Sequence, residues 1–430
     1  MSTSSRRIRS IPTTCLRRGA LLGVLLGVLL CSVAASADSW PRVELPLQLP
    51  RNLVVDGVVT NTPDKKVQPV VRRGALSAPL ARLDLLTVFR SPKGDRIELA
   101  LDTDWYFGEP VPTTFTLDML EARLENAAAL KLHRSKRYRE AAQGFAAALR
   151  LDPRFRLAAY NLASARSQQG RPDEAVAALA PFLGRELPAT YLALLQDPEL
   201  APLLQTREVA AHRADPPGTP GLVARDEHWL AYSARHGLLA ALDAHRGLIV
   251  LSLRSGEVVA QLDLGSEIFP WSCDGCGDEI EQQAKRAKAS AQAAFQKQLP
   301  LATRFLSELG FSALKQREES KRCTPGRSLC FAASALRVEF SQDDDKATVF
   351  KKGQRAAVLS TDYGSHSIDD GTYLPELQAV VYRWLHRYGS TDRGRQAGTE
   401  LLLLSPGANK NRPPRRRCVM SDQAHSCDDP

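Results

Sequence analysis

The chain has 430 residues, 43% of them hydrophobic, and a formal charge of +9. That length allows two or three units with cores of their own. The charge does not imply a nucleic-acid binder, because Arg6, Arg7, Arg9, Arg17 and Arg18 crowd the start and Lys410, Arg412 and Arg415 to Arg417 the end, leaving the body near neutral.

Residues 1–37 read as a secretory signal: a basic leader, the apolar run Ala20 to Leu30, and the small residues Ala35-Ser36-Ala37 ahead of Asp38. This predicts a mature chain beginning at Asp38 and a periplasmic or extracellular location. The alternative is an uncleaved anchor, since Gly19 to Ala37 carries no charge; only in that case would the chain meet a membrane. Residues 38–115 read as a β-rich region, with apolar runs Leu53-Val54-Val55 and Leu85 to Phe89 between the turn clusters Asn61 to Asp64 and Ser91 to Asp95.

A helix is expected from Thr116, a good N-cap, with Leu117, Leu120, Leu124, Ala128 and Leu132 on one face. From here residues recur at a spacing of 34: Ala129 and Ala163, Arg137 and Arg171, Glu140 and Glu174, Ala141 and Ala175, Ala146 and Ala180. A helix-turn-helix unit that cannot bury its apolar face alone stacks on a copy of itself, which produces such a period. Ala129, Tyr138, Ala141, Phe145, Ala148 and Pro153 in the first unit, and Leu162, Ala163, Gly170 and Ala175 in the second, make residues 117–184 resemble the tetratricopeptide repeat family. The chain departs from that pattern where Glu125 and Ala159 replace an early aromatic and Lys136 a turn glycine. The resemblance implies a concave groove lined by the first helix of each unit, at Arg123, Asn126, Leu130, His133, Arg134, Leu157, Tyr160, Ser164, Ser167 and Gln168, and a protein or mildly acidic peptide as its occupant. The competing expectation is that so short a stack braces its neighbours and has its groove filled by the chain itself. Residues 186–213, broken by Pro188, Pro198 and Pro202, read as a cap over Leu179, Phe182 and Leu183, closing a helical domain at 116–215.

Pro216 to Gly221 (PPGTPG) reads as a linker. Beyond it, at 222–405, a β-rich α+β domain is expected. It opens on an antiparallel meander at His228 to Ala234, Leu238 to Asp243, Leu248 to Leu253 and Val258 to Leu264, with turns at Gly237, Gly247 and Gly256. Two helices follow, Glu279 to Gln298 and Leu301 to Leu309, then strands at Leu336 to Phe340, Ala347 to Phe350, Ala356 to Ser360, Gln378 to Leu385 and Glu400 to Leu404. Residues 406–430 read as a basic disordered tail. The fold class is thus α+β multidomain, with a short helical-repeat segment between a β-rich N-terminal region and a mixed, mainly antiparallel C-terminal domain.

Past the signal, six cysteines remain: Cys273, Cys276, Cys323, Cys330, Cys418 and Cys427. Exported thiols in even number favour disulfides, and local pairs are the simplest connectivity among the alternatives. Cys273-Asp274-Gly275-Cys276, after a β run and ahead of a helix, also resembles a thioredoxin-type site, and Cys273, Cys276, Cys323 and Cys330 together would make a metal site. His236, His245 and His366 read as exposed turn residues, and Asp343 to Asp345 as a hairpin tip. No nucleophile elbow, phosphate-cradling glycine loop or zinc-protease motif is present. The leading expectation is a scaffold or adaptor with no cofactor, no metal and no nucleic-acid partner. Thiol-disulfide or metal chemistry at Cys273/Cys276 and a purely structural envelope role are the alternatives.

Overall fold

The computed structural model describes residues 39–59, 67–81, 84–102, 113–222, 229–243, 247–264, 278–314, 317–324, 328–341, 346–360, 367–387, 395–404, 418–420 and 425–427. The expected turn Asn61 to Asp64, the signal segment and Asp343 to Asp345 lie outside these residues. Among those described are seven α-helices and several antiparallel sheets, so the chain is a mixed α+β protein.

After β1 (Ser39–Trp40), two four-stranded sheets form the N-terminal region. One comprises β2 (Arg42–Val43), β7 (Asp84–Arg90), β8 (Arg96–Asp102) and β9 (Thr113–Thr116); the other runs β3 (Leu47–Leu49), β4 (Leu53–Val59), β5 (Val67–Arg73), β6 (Leu76–Pro79). Their inward residues, among them Leu53, Val55, Val71, Val88, Ile97, Leu99 and Phe115, build one core. Strand β9 runs straight into α1 (Leu117–Arg134), whose first amides are satisfied by Thr116: its hydroxyl accepts from the Met119 N–H at 3.2 Å. Leu120 and Leu124 of α1 complete the same core, so helix and sheets are joined from the first turn.

Helices α2 (Tyr138–Leu151), α3 (Arg156–Gln168) and α4 (Pro172–Arg185) follow as successive packed neighbours. Ala129, Ala141, Ala163 and Ala175 are at most 1% exposed, and a Cβ on Gly144 would come within 2.7 Å of the Ala129 Cβ, so small side chains set the helix spacing. The helix ends recur at the same period as the sequence. Lys136 (φ 59°) and Gly170 (φ 71°) both adopt the left-handed conformation. Arg137 N–H reaches the Leu132 carbonyl at 3.0 Å and Arg171 N–H the Arg166 carbonyl at 3.0 Å, the closure of a Schellman cap in each case. Arg137 pairs with Glu140, and Arg171 with Glu174. A lysine in this conformation carries a Cβ penalty that glycine avoids. Lys136→Gly should therefore stabilise the protein by about 0.5–1 kcal/mol; a lowered denaturation midpoint would contradict this assignment of strain.

The cap is α5 (Leu187–Gln196), a 3-10 turn at Ala201–Gln205 and the short α6 (Arg207–Ala210). Tyr191, Leu192, Leu194, Leu200, Leu203 and Leu204 pack with Leu179, Phe182 and Leu183. That core does not stop at Pro216 to Gly221. It continues through Trp229, Ala240, Leu248 and Val250 to Phe295, Phe305, Leu306 and Phe311. The proline-glycine stretch is itself bonded down: Gly218 N–H donates to the Ser307 carbonyl at 2.8 Å and the Trp229 indole N–H to the Pro220 carbonyl at 3.0 Å. A Cβ on Gly218 would lie 2.2 Å from the Phe311 carbonyl oxygen. Composition marks a linker here; the packing makes it a seam.

Strands β10 (Leu230–Ser233), β11 (Leu238–Asp243), β12 (Gly247–Ser252) and β13 (Val258–Leu262) form the meander, with Gly237, Gly247 and Gly256 at positive φ in the turns. In β11 every residue is buried, as expected of a strand covered on both faces. One face meets helix α7 (Asp278–Glu308) and the cap. The short β14 (Ser312–Ala313) completes this sheet beside β10. The other face meets the sheet of β15 (Glu318–Glu319), β21 (Ser367–Leu374), β22 (Ala379–Arg387) and β23 (Arg395–Leu403), through Ala379, Val381, Leu401 and Leu403. The intervening residues Val380, Tyr382 and Leu402 point the opposite way, onto a third sheet. That sheet is β16 (Lys321–Thr324), β17 (Ser328–Phe331), β18 (Leu336–Phe340), β19 (Lys346–Lys351) and β20 (Gln354–Ser360).

Two expectations need correction. The helices at 279–298 and 301–309 are one helix of 31 residues running through Pro300; Phe295, Ala302, Phe305 and Leu306 anchor both sides of the proline in the core, which offsets the lost hydrogen bond. The tail is not wholly without structure, since β24 (Cys418–Met420) pairs with β25 (His425–Cys427) and β25 with β1, placing Cys418 opposite Cys427.

Candidate functional site

Of the ten positions that line the expected groove, Arg134, Leu157 and Gln168 are exposed, Asn126 and Ser164 are buried, and the rest are half-buried. Each buried one has an internal partner. The Asn161 side-chain amide donates to the Asn126 carbonyl oxygen at 2.9 Å, bridging α1 and α3. Arg123 lies between two aromatic faces, 4.7 Å from the Phe115 ring centre and 4.6 Å from that of Phe155, and reaches Asp152 at 3.6 Å. Burial pulls its pKa down despite the favourable carboxylate. These contacts join the N-terminal sheets to the first helical pair.

At the other end of the helices, Glu199 from the segment after α5 meets side chains of α1 and α3. The Ser164 hydroxyl donates to the Glu199 carboxylate, and the His133 Nε2 lies 3.1 Å from Ser164 Oγ and 3.6 Å from Glu199 Oε2. His133 also stands edge-on to Tyr138, with ring centres 5.0 Å apart. A serine, a histidine and an acid thus meet, but not as a nucleophilic triad. Both oxygens approach the same ring nitrogen, and the hydroxyl proton is committed to the carboxylate, so among the described residues nothing orients the imidazole as a base. The cluster pins the loop after α5 onto α1 and α3. Further along, the Tyr160 hydroxyl donates to Thr190 Oγ1 at 3.3 Å; burial is the main cause that raises its pKa.

The accessible part of the surface lies around Arg156, where two clefts adjoin. One, of about 500 Å³, is bordered by Met119, Arg123, Asp152, Phe155, Leu157 and Glu186 with Arg154 and Arg156. The second, of about 440 Å³, lies between Tyr160, α5 and strand β13. Among the described residues five large hydrophobics are exposed, and two of them border these clefts: Leu157 at 52% and Val258 at 39%. Arg156 pairs with Glu186 at 3.0 Å, whereas Arg154 makes no ion pair among the described residues. Sequence reasoning missed Arg154, Arg156 and Glu199, and it did not place the expected strand β13 beside the helices, because these roles depend on how the cap and the meander close on α3, which no local pattern encodes.

Of the cysteines, Cys323 and Cys330 form a disulfide with Cα atoms 5.8 Å apart, closing the β16–β17 hairpin. Cys273 and Cys276 lie outside the described residues, as do His245 and His366. His236 is half-buried, not an exposed turn residue: its Nε2 lies 3.0 Å from the His212 carbonyl. Among the described residues no group of three His, Cys, Asp or Glu side chains is placed to hold a metal ion, and no helix is long and apolar enough to cross a membrane. No family model, characterised protein or solved structure matches this chain.

Proposed function

We propose that this protein is an exported scaffold or adaptor that holds a partner protein on its tetratricopeptide-like helical segment, through the surface around Arg154, Arg156 and Leu157. The observation carrying this reading is the meeting of the two clefts at Arg156, flanked by exposed Leu157 and Val258. An apolar contact bordered by basic groups is the kind of patch that binds a partner carrying acidic and apolar side chains. The Cys323–Cys330 bond favours an oxidising compartment, in keeping with export. Sequencing the N-terminus of the secreted protein should return Asp38; retention of Met1 would make the segment an anchor.

A photo-crosslinking residue at Leu157 in the full chain tests the adaptor reading. A discrete protein adduct is expected, lost on Arg154→Glu with Arg156→Glu, and absent when the crosslinker replaces exposed Arg139 on α2. Failure to form an adduct at Leu157, or an equal adduct at Arg139, would reject the adaptor surface.

A further inference from the structure

We infer that the groove between α5 and β13 receives an extended segment of a partner protein by strand addition, with an acidic side chain of that segment at Arg156. The inference rests on the adaptor reading above and gives its partner a binding mode. Among the described residues strand β13 ends its sheet, whose order is β13-β12-β11-β10-β14. Four consecutive residues of it, Val258, Val259, Ala260 and Gln261, border the groove. A bulge at Val259 interrupts the pleat, but Ala260 and Gln261 beyond it lie on alternate faces, and both border the groove only where it runs along the strand's edge. The edge is where backbone N–H and C=O groups project without a neighbouring strand, and it is the template for pairing with another chain.

The opposite wall is one face of α5, with Ala189, Leu192, Ala193 and Gln196 at helical spacing. Alanines at 189, 193 and 260 keep the space between helix and strand open, and its volume of about 440 Å³ falls in the range of binding clefts. The walls mix alanine, leucine and valine side chains with Gln196 and Gln261, Val258 stays 39% exposed, and the end is marked by Arg156 and the Tyr160 ring. The Arg156–Glu186 pair is half-exposed, with side chains 49% and 40% accessible, so an incoming carboxylate can share Arg156 without the cost of opening a buried ion pair. Arg154 in the adjoining cleft adds a second cation, with no ion pair among the described residues. The charge therefore selects an acidic segment, and the strand edge an extended one.

The test uses the full chain and a labelled peptide of alternating valine and glutamate, followed by fluorescence anisotropy. Saturable binding is expected, weakened about tenfold or more by Ala193→Trp, which fills the groove from the helix, and by Arg156→Glu. Gln196→Trp, at an exposed position on the same wall, serves if Ala193→Trp fails to fold. The decisive control is the same peptide with alternate amides N-methylated: strand addition requires its loss of binding, whereas side-chain recognition alone does not. Equal binding of the methylated peptide, or no saturable binding to the wild-type chain, overturns the inference. So does a groove that instead pairs two copies of this chain, seen as self-association abolished by Ala193→Trp with no peptide binding. Should the Leu157 adduct persist in Ala193→Trp and Gln196→Trp, the groove is not the partner's seat and the adaptor reading stands without it.

Discussion

Replacing Phe305 by alanine is expected to destabilise the helical cap and the central meander together, by about 3–5 kcal/mol. Phe305 is 1% exposed near the end of α7, inside a core that also contains Phe182, Tyr191 and Leu203 on one side of the Pro216 to Gly221 seam and Ala240, Leu248 and Val250 on the other. A truncated side chain there leaves a void bordered by both, and neither can close it without disturbing the other. A chain of this length need not unfold in one step, so the measurement is site-resolved hydrogen exchange. Amides of α4, α5, β11 and β12 should lose protection in parallel. If the meander amides alone become labile while the helices keep their wild-type protection, the seam separates two independent units, and the single-core reading fails.

The same core explains which parts of the fold were legible beforehand. The helical hairpins were, because their signal is local: a period of 34, small residues where helices meet, and a left-handed residue closing the first helix of each pair at Lys136 and Gly170. The meander was legible for a similar reason, since Gly237, Gly247 and Gly256 supply conformations other residues resist. The relation between these parts was not. Pro216 to Gly221 has the composition of a hinge, yet Gly218 is required because its backbone lies against Phe311, a contact separated by many residues. The groove shows the same limit. The resemblance implies an open groove at Asn126 and Ser164, but not that Asn161 and Glu199 would take up their polar groups. Arg123 reads as a groove cation until Phe115 and Phe155, from two other elements, enclose it. The stacking of three sheets was hidden too, because β22 alternates Val380 and Tyr382 toward one neighbour and Ala379 and Val381 toward the other, and an apolar run with both faces covered does not name its neighbours.

Glu308, the last residue of α7, holds the cap to that helix by polar contacts. Its Oε1 accepts from Arg304 Nε at 2.8 Å and its Oε2 from the Tyr191 hydroxyl; Arg213 Nε reaches the Tyr191 oxygen at 3.0 Å, and Arg213 Nη2 donates to the Leu204 carbonyl at 2.7 Å. Tyr191 is fully buried, and burial, then its bond to the carboxylate, pushes its pKa up to about 12. For Glu308 burial acts against the charged form, but Tyr191, Arg304 and Arg213 outweigh it, and its pKa lies below the ordinary carboxylate value of 4.5. Glu308→Ala should therefore cost about 2 kcal/mol: it strips the Tyr191 hydroxyl of its acceptor and Arg213 of its counter-charge, moderated because the Glu308 side chain is 22% exposed. A group whose pKa is depressed by folding stabilises the protein above its unfolded pKa and ceases to do so as pH falls through the folded value. The stability gap between wild type and Glu308→Gln should then be full at neutral pH and shrink as the pH drops below 4.5. Denaturant melts across that window decide the matter: a gap that stays constant into the acid range would mean that the carboxylate's charge contributes nothing, and that only its shape and hydrogen-bond acceptor hold α5 to α7.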